Sequence, residues 1–276
     1  MDDIIKIPIT NNPPTWNSSP PPPIQQLKTI GSLGLVDGFR DYNRCTTLTR
    51  FLKGKRIAYV CPSPHLKGLG MGNFIDSHDL VVRVNLAYHQ PEDDWKDYGR
   101  RTDIVMNCLN IHKRKALHSN MSFANSLKFI ICPMVNAHTS PAVNFFLSQL
   151  KIPTHNVCDG YLYKIFEQVG TTCNTGLTGI ITLLNYDVES IYLTGMTFFN
   201  MNKFGNIYND TYHDEAARNN NFKDTSNKQP SISDLRIDIH QQQPQIDYFR
   251  KILQTHYPNR LKVDKYLIEN FNLKRK

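Results

Sequence analysis

The chain has 276 residues, of which 40% are hydrophobic and 20% charged, enough apolar material for a core of its own and ordinary for a globular protein. The formal net charge is +8 at pH 7, yet the basic residues are scattered apart from Lys113-Arg114-Lys115 and Lys274-Arg275-Lys276. No basic stripe is interleaved with aromatics, which argues against a nucleic-acid face; the mild excess suits a small anionic substrate.

Residues 1–30 carry Pro13-Pro14 and the run Pro20–Pro23 among Asn, Ser and Thr. They read as a disordered tail of polyproline character or as a ligand for a proline-reading domain. The start, MDDIIKIPITNN, has no basic end and apolar centre like a secretion signal, and no run of about eighteen apolar residues offers a membrane span. The expected location is cytoplasmic. Residues 31–276 are expected to form a single domain, with its core beginning near residue 50.

A short apolar run, Ile57–Cys61, predicts a strand that breaks at Pro62-Ser63-Pro64. Gly68, Gly70 and Gly72, an IDSHD turn (Ile75–Asp79) and a second apolar run, Leu80–Val84, follow. Two buried-strand patterns joined by a glycine-rich crossover read as a βαβ unit. The glycines would let the backbone approach a ligand, and the next helix start would offer N–H groups to an anion. A nicotinamide dehydrogenase is disfavoured, because a dinucleotide fingerprint follows its strand directly and Gly68 lies seven residues further on.

Ile104–Cys108 predicts a third strand and Lys128–Cys132 a fourth, followed by helices over about 141–150 and 160–169. Asn174 or Thr175 can cap a helix whose apolar face is Leu177, Ile180, Ile181 and Leu184, and that helix start is again an anion site. Ile191–Leu193 predicts the next strand, ending at Gly195, with Met196 and Phe198-Phe199 as packing residues. Residues 200–233 are polar and loop-like. A helix over about 244–256, a short strand near Leu261–Val263 and a terminal helix complete the pattern.

The six cysteines (Cys45, Cys61, Cys108, Cys132, Cys158, Cys173) have no metal-ligand spacing, and three of them sit in apparent strands. A reducing compartment is the simpler reading. Glu92-Asp93-Asp94 reads as solvated surface and the chain has no Asp-x-Asp, so neither a metal nor another cofactor is expected.

The residues Leu66, Gly72, Ile75–Asp79, Val81, Arg83 and Asn85 closely resemble the large (L) donor-binding motif of the eukaryotic-type sialyltransferases, glycosyltransferase family 29. The Pro62-Ser63-Pro64 start and Gly68-Leu69-Gly70 look most like its soluble bacterial, viral and plant-type branches. Gly99-Arg100-Arg101-Thr102-Asp103 continues the resemblance, and Cys173–Phe199 is similar to the small (S) motif. The chain departs from animal members at Pro62, where Asn is usual, at Cys173, where Pro is usual, and at Ile57 and Tyr186, where they carry a disulfide.

The resemblance implies a mainly parallel central sheet flanked by helices, a Rossmann-like variant of the glycosyltransferase-A fold. It implies CMP-donor contacts from Ser63, Asn85, Asn107, Asn174, Thr175, Gly176, Gly195, Met196, Thr197 and Tyr212. Asn110 would also face the donor. Tyr212-His213-Asp214-Glu215 is similar to motif III, and His240 with Gln245 five residues on is similar to the very small (VS) motif.

The activity implied is transfer of an acidic sugar from a CMP-sugar, inverting and metal-independent, to a glycan acceptor. An acceptor hydroxyl needs a base, which His240 would provide, and a departing phosphate needs a donor such as His213. A histidine ahead of a helix also serves as a cap or surface residue, and His213 also reads as an ordinary loop residue. Arg83 reads equally as a buried ion pair or a donor contact, and His78 and Asp79 as braces of the crossover. CMP-Kdo as donor and a non-catalytic nucleotide-binding module are the alternatives.

Overall fold

The computed structural model describes residues 46–88, 92–198 and 241–273. Seven parallel strands form one sheet: β1 (Arg56–Val60), β2 (Leu80–Val84), β3 (Ile104–Met106), β4 (Phe129–Cys132), β5 (Thr154–Asn156), β6 (Ser190–Thr194) and β7 (Leu261–Val263). Their order across the sheet is β5-β4-β3-β2-β1-β6-β7. Central parallel strands are covered on both faces, which is why β1, β2 and β6 read as continuous apolar runs rather than alternating ones. β5 escapes the sequence reading because Thr154-His155-Asn156 is a three-residue edge strand with no apolar run.

The helices are α1 (Thr46–Leu52), α2 (Gly72–Asp76), α3 (Trp95–Tyr98), α4 (Ile111–His118), α5 (Met121–Ser126), α6 (Pro141–Ser148), α7 (Asp159–Val169), α8 (Thr175–Leu184), α9 (Gln242–His256) and α10 (Lys265–Asn270). On one face, Ile57, Tyr59, Val82, Ile104 and Ile131 pack with Leu162, Ile165, Ile180, Leu184, Phe249 and Ile252. The other face divides: Ala58, Val60 and Val81 meet Leu66, Ile75 and Tyr98, while Val105 and Ile130 meet Leu117, Val143 and Phe146. Leu48 and Leu52 of α1 are fully buried in the first cluster, so the core reaches back to Leu48. Among the described residues no helix is long and apolar enough to cross a membrane, and the described cysteines are free thiols.

The start of β2 and β3 is locked by the two charged turns the sequence displays. Asp76 accepts from the Arg100 and Arg101 amides at 2.9 and 3.1 Å, and the Arg101 guanidinium donates to the carbonyls of Asp76, His78 and Asp79 and to Asp103. Asp103 also accepts from the Val81 amide at 2.8 Å. Asp79 accepts from the amide and guanidinium of Arg56, and His78 bonds the Phe74 carbonyl and stacks on Tyr192. These residues brace the crossover as expected.

Arg83 resolves differently from either expectation. Its buried guanidinium donates to the carbonyls of Tyr98, Gly99 and Arg101 and to the Thr102 hydroxyl, over 2.8–3.1 Å. Among the described residues no carboxylate is bonded to it. Burial lowers its pKa to about 10 against the pull of Asp76 and Asp103. It pins the loop before β3 as a carbonyl-bound cation.

The glycine-rich loop also has another use. The Gly68 and Gly70 amides, at positive φ, donate to the Asp97 carboxylate at 2.7 and 2.8 Å. Gly72 lies where a Cβ would meet the Trp95 carbonyl at 1.9 Å. The loop is therefore a packing device between α2 and α3, with these amides turned to the protein's own carboxylate. Within Glu92-Asp93-Asp94, the first two are exposed but Asp94 is buried.

Candidate active site

In an open parallel sheet, ligands bind outside the carboxyl ends of the strands where the strand order reverses. Here that reversal lies between β1 and β6, because β2 through β5 follow on one side of β1 and β6-β7 on the other. The chain leaves β1 through Cys61-Pro62-Ser63 and leaves β6 through Gly195-Met196-Thr197, so the two sequence-flagged stretches form the walls of one crevice.

The walls approach very closely. The Cys61 amide donates to the Thr194 carbonyl at 2.9 Å, and Gly195 takes φ +76° with its α-carbon over Cys61. A Cβ there would lie 2.2 Å from the Cys61 carbonyl oxygen, so only glycine fits. Met196 and Phe198 turn into the core, Phe198 against Phe249 at 5.2 Å between ring centroids, which agrees with their reading as packing residues.

Helix α8 points its start at the same place. Asn174 caps it by accepting from the Leu177 amide at 2.8 Å. The Thr175 and Gly176 amides have no acceptor among the described residues, leaving an N-terminal turn open to an anion. Tyr59, in the middle of β1, holds this turn from below: its hydroxyl donates to the Gly176 carbonyl at 3.0 Å. Gly179 makes room for that hydroxyl, which would lie 2.2 Å from a Cβ.

Asn85 and Asn107 stand at the ends of β2 and β3 and bind one another. Asn107 donates to the Asn85 carbonyl at 3.3 Å and accepts from the Leu109 amide at 2.8 Å, while Asn85 accepts through Oδ1 from the Cys108 amide. This side-chain bond to Leu109 ends β3 at Met106, two residues earlier than the apolar run suggests. The buried Asn107 side chain is thus bonded at both its oxygen and its nitrogen, whereas the Asn85 Nδ2 has no acceptor among the described residues. Asn110 caps α4 through the Lys113 amide rather than facing the crevice.

Gln245 joins the C-terminal segment to this edge. Buried in α9, it accepts from the Asn174 amide at 3.0 Å and donates to the Gln241 carbonyl at 3.0 Å, and the Gln241 amide donates to Thr171. His240, His213 and Tyr212 lie outside the described residues. Among the described residues no cluster of three His, Cys, Asp or Glu side chains could hold a metal.

Sequence reasoning did not single out His65 and Asp264. Asp264 follows β7 and caps α10 through the Leu267 amide; its other oxygen accepts from His65 Nε2 at 2.9 Å, Thr194 Oγ1 at 2.8 Å and the Gly195 amide at 3.1 Å. Burial works against this charge, but His65, Leu267 and Thr194 more than offset it, and the carboxyl pKa falls below its ordinary value. An Asp ahead of KYLIE announces a helix cap; nothing in that pattern announces a hub reaching β6 and the β1 loop.

A parallel α/β sheet whose strand order reverses between β1 and β6 is a Rossmann-like architecture. Residues 51–154 match the family model for glycosyltransferase family 29 (sialyltransferase). Curated proteins give no significant match to the sequence.

Among solved structures, the monofunctional alpha-2,3-sialyltransferase Cst-I from Campylobacter jejuni is 14% identical, with a TM-score of 0.51 over 81% of this chain and 83% of that one. The sialyltransferase CstII from Campylobacter jejuni, in complex with cytidine-5'-monophosphate, is 16% identical, with a TM-score of 0.50 over 79% and 84%. A mammalian sialyltransferase is 15% identical, with a TM-score of 0.44 over 79% and 71%. At such identities the bacterial likenesses concern the fold, which is glycosyltransferase-A-like.

Proposed function

We propose that the chain transfers an acidic sugar, most simply sialic acid, from a CMP-activated donor to a hydroxyl of a glycan acceptor. The acceptor oxygen attacks the anomeric carbon, the bond from that carbon to the phosphate oxygen breaks, and CMP departs. The configuration inverts. His240 takes the acceptor's proton and His213 faces the departing phosphate. No metal takes part, because a single phosphate makes less demand for a divalent ion than a diphosphate does.

The observation that carries this reading is the convergence at the β1–β6 reversal: Ser63, Gly195 and the open start of α8 share one crevice, with the Asn85 amide at the end of β2. CMP is the ligand we assign to it, as in the Campylobacter CstII complex. For His240, the support is that Gln241 and Gln245, the next residue and the fifth, are hydrogen-bonded to Thr171 and Asn174 beside that crevice.

The test is turnover of CMP-sialic acid and CMP-Kdo by the wild type and by His240→Ala. The reading expects His240→Ala to bind CMP near normally while transfer falls by about 10²–10⁴. A chelator should leave the wild-type rate unchanged. Wild-type transfer by His240→Ala would remove the base assignment, and CMP binding without turnover of any CMP-sugar would leave a binding module.

A further inference from the structure

Ser63, His65 and Asp264 form a continuous hydrogen-bonded chain at the crevice. Ser63 Oγ lies 2.9 Å from His65 Nδ1, and His65 Nε2 lies 2.9 Å from Asp264 Oδ2. All three side chains are buried, and the imidazole stacks on Tyr266 with centroids 5.0 Å apart. Elements distant in sequence supply the parts: the turn after β1, the end of β6 through Thr194 and Gly195, and the cap of α10.

The donors and acceptors can be assigned by elimination. An ionised carboxylate only accepts, so the proton between His65 and Asp264 belongs to Nε2. The Ser63 hydroxyl already accepts from the His65 amide at 3.4 Å. With a neutral imidazole, Nδ1 is an acceptor and the Ser63 proton points at it. In that state the hydroxyl has no proton for a ligand. An oxyanion at Ser63 needs that proton, because phosphate oxygens on a nucleotide are acceptors.

We infer that His65 and Asp264 are positioning residues that turn the Ser63 hydroxyl into a donor for an anionic oxygen, by taking up one proton at His65 Nδ1 when the anion binds. The imidazolium then donates from Nδ1 to Ser63 Oγ and from Nε2 to Asp264, and Ser63 Oγ–H donates to the ligand. One proton enters from solvent and every hydrogen bond of the chain is kept. The inference rests on the crevice being the donor site, where the phosphate of CMP is the oxyanion.

The surroundings suit a transient cation. Tyr266 presents its ring, and the Asp264 carboxylate lies within electrostatic reach of Cys61 and Tyr192. Burial pushes the Cys61 thiol up and the Tyr192 phenol up to about 12, so both remain neutral and Asp264 supplies the balancing negative charge. A merely structural serine cap would need none of this, since a cap accepts from a backbone amide without a histidine behind it.

The experiment is calorimetry of CMP binding at pH 7.5 in two buffers of different ionisation enthalpy, with cytidine as the ligand lacking phosphate. A phosphate monoester has its second ionisation near about 6, so free CMP is almost wholly dianionic there. The wild type should take up close to about one proton per CMP and about none with cytidine. Ser63→Ala and His65→Phe should lose that uptake and about tenfold or more in CMP affinity, the worth of a charge-assisted hydrogen bond, with cytidine affinity within about threefold of wild type. Ser63→Ala leaves the His65–Asp264 pair intact, so it serves even if His65→Phe does not fold. Equal proton uptake with CMP and cytidine, or uptake retained in Ser63→Ala, overturns the inference while the donor site stands. A wild type that binds no CMP removes the donor-site reading and this inference together.

Discussion

Replacing Gly195 by alanine separates two effects that a structure normally blends. The residue has φ +76°, which costs a non-glycine residue about 1–2 kcal/mol. Its new Cβ would also sit 2.2 Å from the Cys61 carbonyl oxygen and 2.9 Å from the carbonyl carbon, both backbone atoms that cannot swing aside. Relief means moving the ends of β1 and β6 apart by roughly 1 Å, enough to weaken the Cys61–Thr194 bond of 2.9 Å or the Gly195–Asp264 bond of 3.1 Å, each worth about 1–3 kcal/mol when its buried groups are left unpaired. Gly170→Ala is the control, since Gly170 has φ +82° but nothing within 4 Å of a Cβ. Thermal melts should show Gly195→Ala below Gly170→Ala by at least about 2–6 °C, at about 2–4 °C per kcal/mol for a domain of this size. CMP affinity should fall about tenfold or more for Gly195→Ala and not change for Gly170→Ala. If the two variants melt together and bind CMP alike, the close approach of the walls is not what glycine is for at that position.

Asn174→Ala removes the α8 cap and should cost about 1 kcal/mol in urea unfolding while weakening CMP binding severalfold, because the same turn is proposed to face the phosphate. Arg83→Met strands the buried carbonyls of Tyr98 and Gly99 and the half-buried one of Arg101 and should cost about 3–5 kcal/mol, yet leave the CMP affinity of the folded molecules unchanged; a specific loss of affinity would restore Arg83 as a donor contact. His256 sits buried near Arg260 with Nε2 unpartnered among the described residues, and burial with that charge lowers its pKa to about 4. Its folded state refuses a proton that the unfolded chain accepts near about 6.5, so stability falls as pH drops through that window, by about 1–2 kcal/mol between pH 7 and 5. His256→Leu should flatten this slope, measured as urea midpoints at the two pH values.

Most of the sheet was legible because buried parallel strands advertise themselves as apolar runs, and β1, β2, β4 and β6 appear close to where the residues suggest. Helix α8 was legible from its cap and its apolar face. What escaped was short or polar: β5 is three residues without an apolar run, and α1 sits in a mixed segment whose buried Leu48 and Leu52 are only two residues. The glycine loop was misread because glycine marks close approach without saying of what, and here the approach is to Asp97 and to the backbone of α3. The Ser63–His65–Asp264 chain was invisible because its ends lie 201 positions apart in sequence (264 − 63), and only the pairing of β6 with both β1 and β7 brings them together.

The stretch that carries the resemblance serves two opposite ends of the same strands. Asp76, Asp79, Arg101 and Asp103 bind one another's turns where β2 and β3 begin, whereas Ser63 and Asn85 stand where β1 and β2 finish. A strand of five residues spans about 17 Å, so no ligand in the crevice touches the first group. The first group therefore reports that the crossover is built, and the second that its far end is fit to bind. The same division explains why the resemblance tolerates Pro62 and Cys173: both lie at the end proposed to bind the donor, while the locks that build the crossover are all present. The resemblance rests on the locks, and under the proposed function the choice of donor falls to the few side chains at the other end, above all Ser63 with the histidine and aspartate behind it.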